Sequence, residues 1–217
     1  MQIKPIVPVG YFGTGATVQQ DGRFTLTTKQ NIGMCYGMVV RQGITKSISF
    51  ESGINYIKRN YNLHLEIADT SFFDKSNFGI VSYEIPLQGL VYIRLSENFF
   101  INSSTGISFN FFASSVQSLG ENKMMQHLSL LRRRSGLSYL ANLGFEYRTE
   151  KSGYIYLGSS LHLPFNSITR YTNVSYEDRR RNDLIYFKEE LRGSFLTLDI
   201  RYFFHEDPAK KKAKKKK

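Results

Sequence analysis

From Ser194 to Phe204 nearly every second residue is apolar: Leu196, Leu198, Ile200, Tyr202 and Phe204 fall on one side, and Thr197, Asp199 and Arg201 on the other. Successive side chains of an extended strand point to opposite faces, so this segment predicts a strand with one oily and one charged face. The alternation recurs upstream. Val81, Tyr83, Ile85, Leu87, Val91, Ile93 and Leu95 oppose Ser82, Glu84, Gln88, Tyr92 and Arg94. Leu137, Tyr139, Ala141, Leu143, Phe145 and Tyr147 oppose Ser138, Asn142, Gly144, Glu146 and Arg148. Ile155, Leu157, Leu161, Leu163 and Phe165 oppose Tyr154, Tyr156, Gly158, Ser160 and His162. The stretches QNIGMCYGMVVR, SISFESGINY and FFINSSTGISFNFF follow the same rule. PIVPVGYFGTGATV does so more weakly, because Pro5 and Pro8 suit a strand edge or start.

Eight strands follow from this pattern. Their connections differ in length: short near 41–46, 96–98 and 150–153, long and polar near 68–77, 116–135 and 169–183. The link near 19–23 belongs on the long side yet reads as short. Short turns on one rim and long loops on the other predict an all-β, eight-stranded antiparallel up-and-down transmembrane β-barrel, with both termini on the short-turn side. Alternation alone fits two orientations. A soluble barrel turns its large apolar face inward, whereas a membrane barrel turns it toward lipid and fills its centre with polar groups. Three features favour the membrane orientation. The polar faces are rich in glycine and serine, which a narrow eight-stranded interior requires. Aromatic residues gather at strand ends (Tyr83, Tyr147, Phe165, Tyr202), as in interfacial girdles. The last strand ends on an aromatic residue, Phe204.

Composition narrows the picture. The 217 residues allow a single domain, with 14 Tyr and 17 Phe but no Trp. No segment approaches the ~18 consecutive apolar residues of a membrane-spanning helix, a criterion that does not apply to strands of ~9–11 residues. One cysteine, Cys35, excludes an internal disulfide and reads as a small interior filler. The N-terminus shows no long apolar segment of a secretory signal, so an exported chain implies mature numbering with the signal already removed. Net charge is +11, but Lys210, Lys211, Lys212, Lys214, Lys215, Lys216 and Lys217 supply seven charges, leaving +4 for the rest. The basic character therefore belongs to a tail. Residues 1–204 read as the barrel, and 205–217 as a disordered periplasmic arm suited to an anionic surface. Nucleic acid is not an expected partner.

The motif order Ser52–Gly53–Ile54–Asn55–Tyr56, then Tyr83–Glu84–Ile85–Pro86–Leu87, then Gly106, resembles the small outer-membrane β-barrel proteins of Bacteroidota, the PorT-like or porin-family group. The likeness covers roughly residues 47–112, and the lysine tail is no part of it. It implies an outer-membrane address and an OmpA- or OmpX-like barrel. It implies little about activity, because that group is functionally heterogeneous.

Charges on the polar faces, Glu51, Glu84, Arg94, Glu146, Arg148, Asp199 and Arg201, are expected to form an interlocking ion-pair plug, since buried charges are tolerated only when paired. Arg132, Arg133 and Arg134, with Arg179, Arg180 and Arg181, fall at the long-loop rim, where arginine would meet lipopolysaccharide phosphates or a partner protein. Catalysis has weaker support. There is no G-x-S-x-G elbow and no H-E-x-x-H, and FGTGATVQQDG has no helix to follow its glycines. His64 and His127 lie toward the long-loop side, and His162 reads as a hydrogen-bonded interior filler. No catalytic residue, cofactor or metal is expected. The reading is a non-enzymatic structural or accessory subunit of a cell-envelope complex, in contact with outer-membrane lipid, lipopolysaccharide and other envelope proteins. Its alternatives are a barrel enzyme acting on lipid A or peptides at the rim, and a soluble lipid-binding barrel.

Overall fold

A computed structural model describes residues 1–7, 15–68, 72–149, 153–178 and 183–204. All of its regular structure is strand: β1 (Gln2–Val7), β2 (Thr17–Asp21), β3 (Phe24–Gly43), β4 (Ile48–Ile67), β5 (Phe73–Arg94), β6 (Phe99–Phe112), β7 (Val116–Leu119), β8 (Met125–Leu131), β9 (Ser135–Thr149), β10 (Gly153–Pro164), β11 (Thr169–Asp178), β12 (Asp183–Glu189) and β13 (Phe195–Phe203). Every pairing is antiparallel.

The eight alternating segments correspond to β1, β3, β4, β5, β6, β9, β10 and β13, each bonded to the next in chain order. Strand β1 pairs on one side with β13, Ile3 opposite Ile200, and on the other with β3, Ile3 opposite Tyr36. The ladder thus returns on itself, and these eight strands form a closed ring without an open edge. At one rim lie the tight turns after β3 and β5, where Ile44 N donates to Ile48 O at 2.9 Å and Leu95 N to Phe99 O at 2.9 Å. The start of β1 and the end of β13 meet there too, Met1 N donating to Tyr202 O at 3.0 Å.

The opposite rim corrects the loop expectations. Segments 116–135 and 169–183 carry strands β7, β8 and β11 and the first residue of β12, and these four strands join in a second sheet of order β12-β11-β8-β7. Strand β5 begins at Phe73, within the expected loop 68–77. The span 19–23 is the turn of a β2–β3 hairpin, with Gly22 at φ 57°, so the link from β1 to β3 is long after all.

Around the ring the large apolar side chains point outward and the charged ones inward. Leu198, Ile93 and Phe145 lie outside the ring at 54%, 60% and 50% exposure, while Glu84, Asp199 and Arg201 are buried within it. Toward the second rim this arrangement reverses. In β4 the buried face reads Ser49, Glu51, Asn55 and then Ile57, Arg59, Tyr61, Leu63, Leu65, Ile67; the other face reads Ile48, Phe50, Ile54 and then Lys58, Asn60, Asn62, His64, Glu66. In β5 the buried Phe78 and Ile80 give way to Ser82, Glu84 and Gln88. The β4–β5 register is unbroken across the change, so the chemistry changes face while the backbone does not. In β3 the backbone does shift. A bulge between Asn31 and Met34 leaves Asn31 and Ile32 both exposed, and Asn60 Nδ2 donates to Ile32 O at 2.8 Å across it. The bulge moves apolar even-numbered residues from the inner face (Phe24, Leu26) to the outer one (Ile32, Met34, Tyr36).

Above the change of face, the long ends of β3, β4 and β5 pack with the second sheet around an apolar core that includes Phe24, Leu63, Leu65, Phe78, Met125, Val174 and Phe187. This cap has the ordinary arrangement of a two-sheet protein, apolar between the sheets. Asp74 secures its β7–β8 turn: the carboxylate accepts from Asn122 N and Met125 N, each at 3.0 Å.

Candidate functional site: a charged interior

The ring's interior is polar because each wall strand turns its small and charged residues inward. Starting at the turn rim, Arg148 Nε lies 2.6 Å from Glu146 Oε1, and Glu146 Oε2 lies 2.5 Å from Arg41 Nη1. Arg41 donates to Glu51 through Nη2 at 2.9 Å and Nε at 3.1 Å. Glu51 Oε1 meets Arg201 Nη1 at 2.7 Å, Arg201 Nη2 meets Asp199 Oδ2 at 2.6 Å, and Lys4 Nζ closes the line at 3.3 Å from Asp199. The charges alternate in sign from one mouth of the ring to its middle.

Neutral groups complete the coordination. Asp199 also accepts from Thr197 Oγ1 at 2.6 Å and Asn142 Nδ2 at 3.2 Å. Glu84 stands apart from the line, accepting from Asn55 Nδ2 at 3.0 Å and Ser108 Oγ at 3.1 Å with His162 Nδ1 at 3.0 Å. Gln2 Nε2 donates to Asn55 Oδ1, so the short first strand contributes two members of the network. Four carboxylates (Glu51, Glu84, Glu146, Asp199) thus share the interior with Lys4, Arg41, Arg59 and Arg201. The balance is necessary, since an uncompensated charge in so dry a space costs several kcal/mol.

Aromatic rings occupy the remaining width. Arg148 sits over Phe100 at 4.1 Å and Tyr92 at 4.9 Å, and Arg41 over Phe203 at 4.1 Å, forming a collar at the turn-side mouth. Deeper in, Tyr156 is fully buried beneath Arg201 at 4.7 Å and donates to Asn142 Oδ1 at 2.8 Å. Its phenol occupies the space above the facing pair Gly144 and Gly158, where a Cβ on either would strike the hydroxyl. At the junction with the cap, Phe195 lies between the Arg59 guanidinium at 4.6 Å and the His162 ring at 4.2 Å.

Six of the seven charges anticipated for this interior are placed in or at it: Glu51, Glu84, Glu146, Asp199 and Arg201 are buried, and Arg148 stands at the mouth. Arg94 is a correction. It is the last residue of β5, exposed, and its Nε donates to Ser96 O at 3.0 Å in the turn. Lys4, Arg41 and Arg59 were missed. Lys4 lies in the proline-interrupted first strand, Arg41 at the end of a strand beside a turn, and Arg59 just past the change of face. Arg41 shares the parity of Cys35, and Arg59 that of Glu51 and Asn55, which was the available signal for those two. Cys35 is buried with Ile6, Ile57 and Phe195.

At the other rim Arg132, Arg133 and Arg134 are exposed, and Arg132 lies 3.5 Å from Glu190. Arg179, Arg180 and Arg181, and the lysines at 210–212 and 214–217, lie outside the described residues. His64 and His127 are not brought together. His64 is on the outer face beside Glu66 at 3.3 Å, and His127 is buried in the cap, its Nδ1 2.9 Å from Ser118 Oγ and its Nε2 2.8 Å from Ser129 Oγ. Desolvation pulls the His127 imidazole down to about 4, so it stays neutral. Among the described residues no cluster of three or more His, Cys, Asp or Glu is placed to hold a metal ion.

Compared with known proteins, the chain matches no protein-family model, and no curated protein matches it closely enough to count as a relative.

Proposed function

We propose that this chain is an eight-stranded up-and-down transmembrane β-barrel of the bacterial outer membrane. On this reading its termini are periplasmic, its cap is extracellular and its interior is plugged. It is non-enzymatic and serves as a structural or accessory subunit of a cell-envelope complex. The observation that carries this reading is the exchange of polarity between the faces of β3, β4 and β5. Water on both sides of a wall gives no reason for oily residues to crowd its outer surface, whereas acyl chains do. The outward apolar run of β3, Ile32 to Val40, covers about 30 Å of strand at ~3.3 Å per residue; a tilt of ~40° reduces this to roughly 23 Å, close to the apolar band of outer-membrane barrels. Polar residues resume where such a band would end.

The interior network supports a closed lumen, since its carboxylates and cations satisfy one another across the axis. Work then falls to the outer wall, the cap and the rims, in contact with outer-membrane lipid, lipopolysaccharide and other envelope proteins. Membership of the Bacteroidota porin-family group rests on the motif resemblance across residues 47–112. Heat-modifiable migration on a gel after detergent extraction tests the barrel; a chain that stays monomeric and soluble without detergent contradicts it. Negligible conductance in planar bilayers is expected, and large stable single-channel steps would refute the plug. Proteins that co-purify from detergent extracts test the accessory role.

A further inference from the structure

A cleft of about 510 Å³ lies at the cap end of the wall, where β6 and β10 end and β9 begins. Its apolar floor continues the oily outer surface. Phe109 of β6 lies directly opposite Leu137 of β9, and Phe165 N donates to Leu137 O at 3.0 Å, so the three side chains run side by side along the wall. All three are exposed. Its upper border is cationic, formed by Arg132 and Arg133. The segment carrying them is tied to the wall on both sides: Arg132 N donates to Ile168 O at 3.0 Å, and Phe112 N donates to Arg134 O at 2.8 Å.

We propose that this cleft binds a phosphate-bearing acylated glycolipid of the surrounding leaflet, its phosphate held by Arg132 and Arg133 and an acyl chain lying along Phe109, Leu137 and Phe165. Charge and placement both favour this occupant. A guanidinium offers paired donors that match a phosphate, and the two arginines stand at the height where the oily band gives way to polar residues. An acyl chain leaving that phosphate meets the apolar floor without crossing polar surface. The volume suits part of such a molecule and falls within the ordinary range of ligand clefts. The ion pair from Arg132 to Glu190 is exposed on both sides, so a phosphate displaces it at little cost. This inference rests on the membrane reading above.

The test uses the full chain in detergent micelles, with native mass spectrometry as the readout. The probes are purified bisphosphorylated lipid A, the same lipid with its phosphates removed, and inorganic phosphate. Retention of the bisphosphorylated lipid is expected, with at least about tenfold weaker binding of the dephosphorylated one. R132A/R133A, which alters only exposed side chains, should show a loss of similar size while keeping heat-modifiable migration. Phe165→Ala should weaken the lipid without touching inorganic phosphate. Equal retention of both lipids, or unchanged binding by R132A/R133A in a chain that still migrates as a barrel, overturns the cleft and leaves the membrane reading standing. A chain that needs no detergent overturns both.

Discussion

The lower and upper halves of β4 are one strand with the inside-out rule applied twice in opposite senses. Below Tyr56 the inner face holds Ser49, Glu51 and Asn55, and the outer face holds Ile48, Phe50 and Ile54; above it Leu63, Leu65 and Ile67 are buried, and Asn62, His64 and Glu66 look out. The backbone geometry and the pairing with β5 are the same in both halves. What differs is which face carries the apolar side chains; on the membrane reading proposed above, the medium outside the wall differs too. Strand structure is therefore indifferent to which face is oily, and polarity reports the surroundings more than the fold.

That comparison can be broken at several points. Arg201→Met should have the largest effect, because Glu51 and Asp199 would then be buried without their shared cation. A loss of about 3–5 kcal/mol is expected, read as a shift of the urea midpoint in detergent. In the cap the corresponding core is apolar, and Leu65→Ala should cost about 2–5 kcal/mol there. Hydrogen exchange should place that loss in the cap and leave the lower wall protected. Leu143→Arg tests the outer face at mid-wall. In a bilayer it should cost about 2–4 kcal/mol, whereas the same charge at Asn62, outward but past the change of face, should stay within about 0.5 kcal/mol. Equal costs at the two positions would remove the boundary.

The cap should also respond to pH where a purely apolar interior would not. His127 is held neutral in the folded cap, with its value lowered to about 4 from an ordinary 6.5. Stability from this group is complete above pH ~6.5 and falls as the pH drops toward 4, because the unfolded chain takes up the proton first. The ceiling is roughly 3 kcal/mol from ~1.36 kcal/mol per pH unit. The difference in urea midpoint between the wild type and His127→Gln, followed from pH 7.5 to 4, should carry that slope; a flat difference would contradict it.

The wall was legible in the sequence and the cap was not, for a reason visible in particular residues. Long alternating segments marked β5, β6, β9 and β13 despite breaks such as Gly89, Ser103 and Thr105. The upper part of β4 was lost because Ile57, Leu63 and Leu65 have the opposite parity to Ile48, Phe50 and Ile54, so the pattern seems to end at Tyr56 when only its sense has changed. Strand β8 escaped because its inner face mixes Met125 with His127 and Ser129, which read as loop chemistry, and β7 because it is only four residues long. In β3 the reverse happened: apolar parity runs straight through, and the bulge beside Ile32 that turns it over leaves no mark in composition. Within the interior, acidic and basic residues on long alternating strands were found, and those near strand ends were misjudged in both directions, Arg94 counted in and Arg41 left out.

The six residues of β1 have a double duty whose consequence concerns assembly. They zip the seam between β3 and β13, and they also deliver Gln2 and Lys4 to partners 53 and 195 positions along the chain, Asn55 and Asp199. Contacts so distant in sequence carry a large loop-closure cost. The seam and the Lys4–Asp199 pair depend on the same six residues, so the ring cannot close without this cation being delivered to its interior.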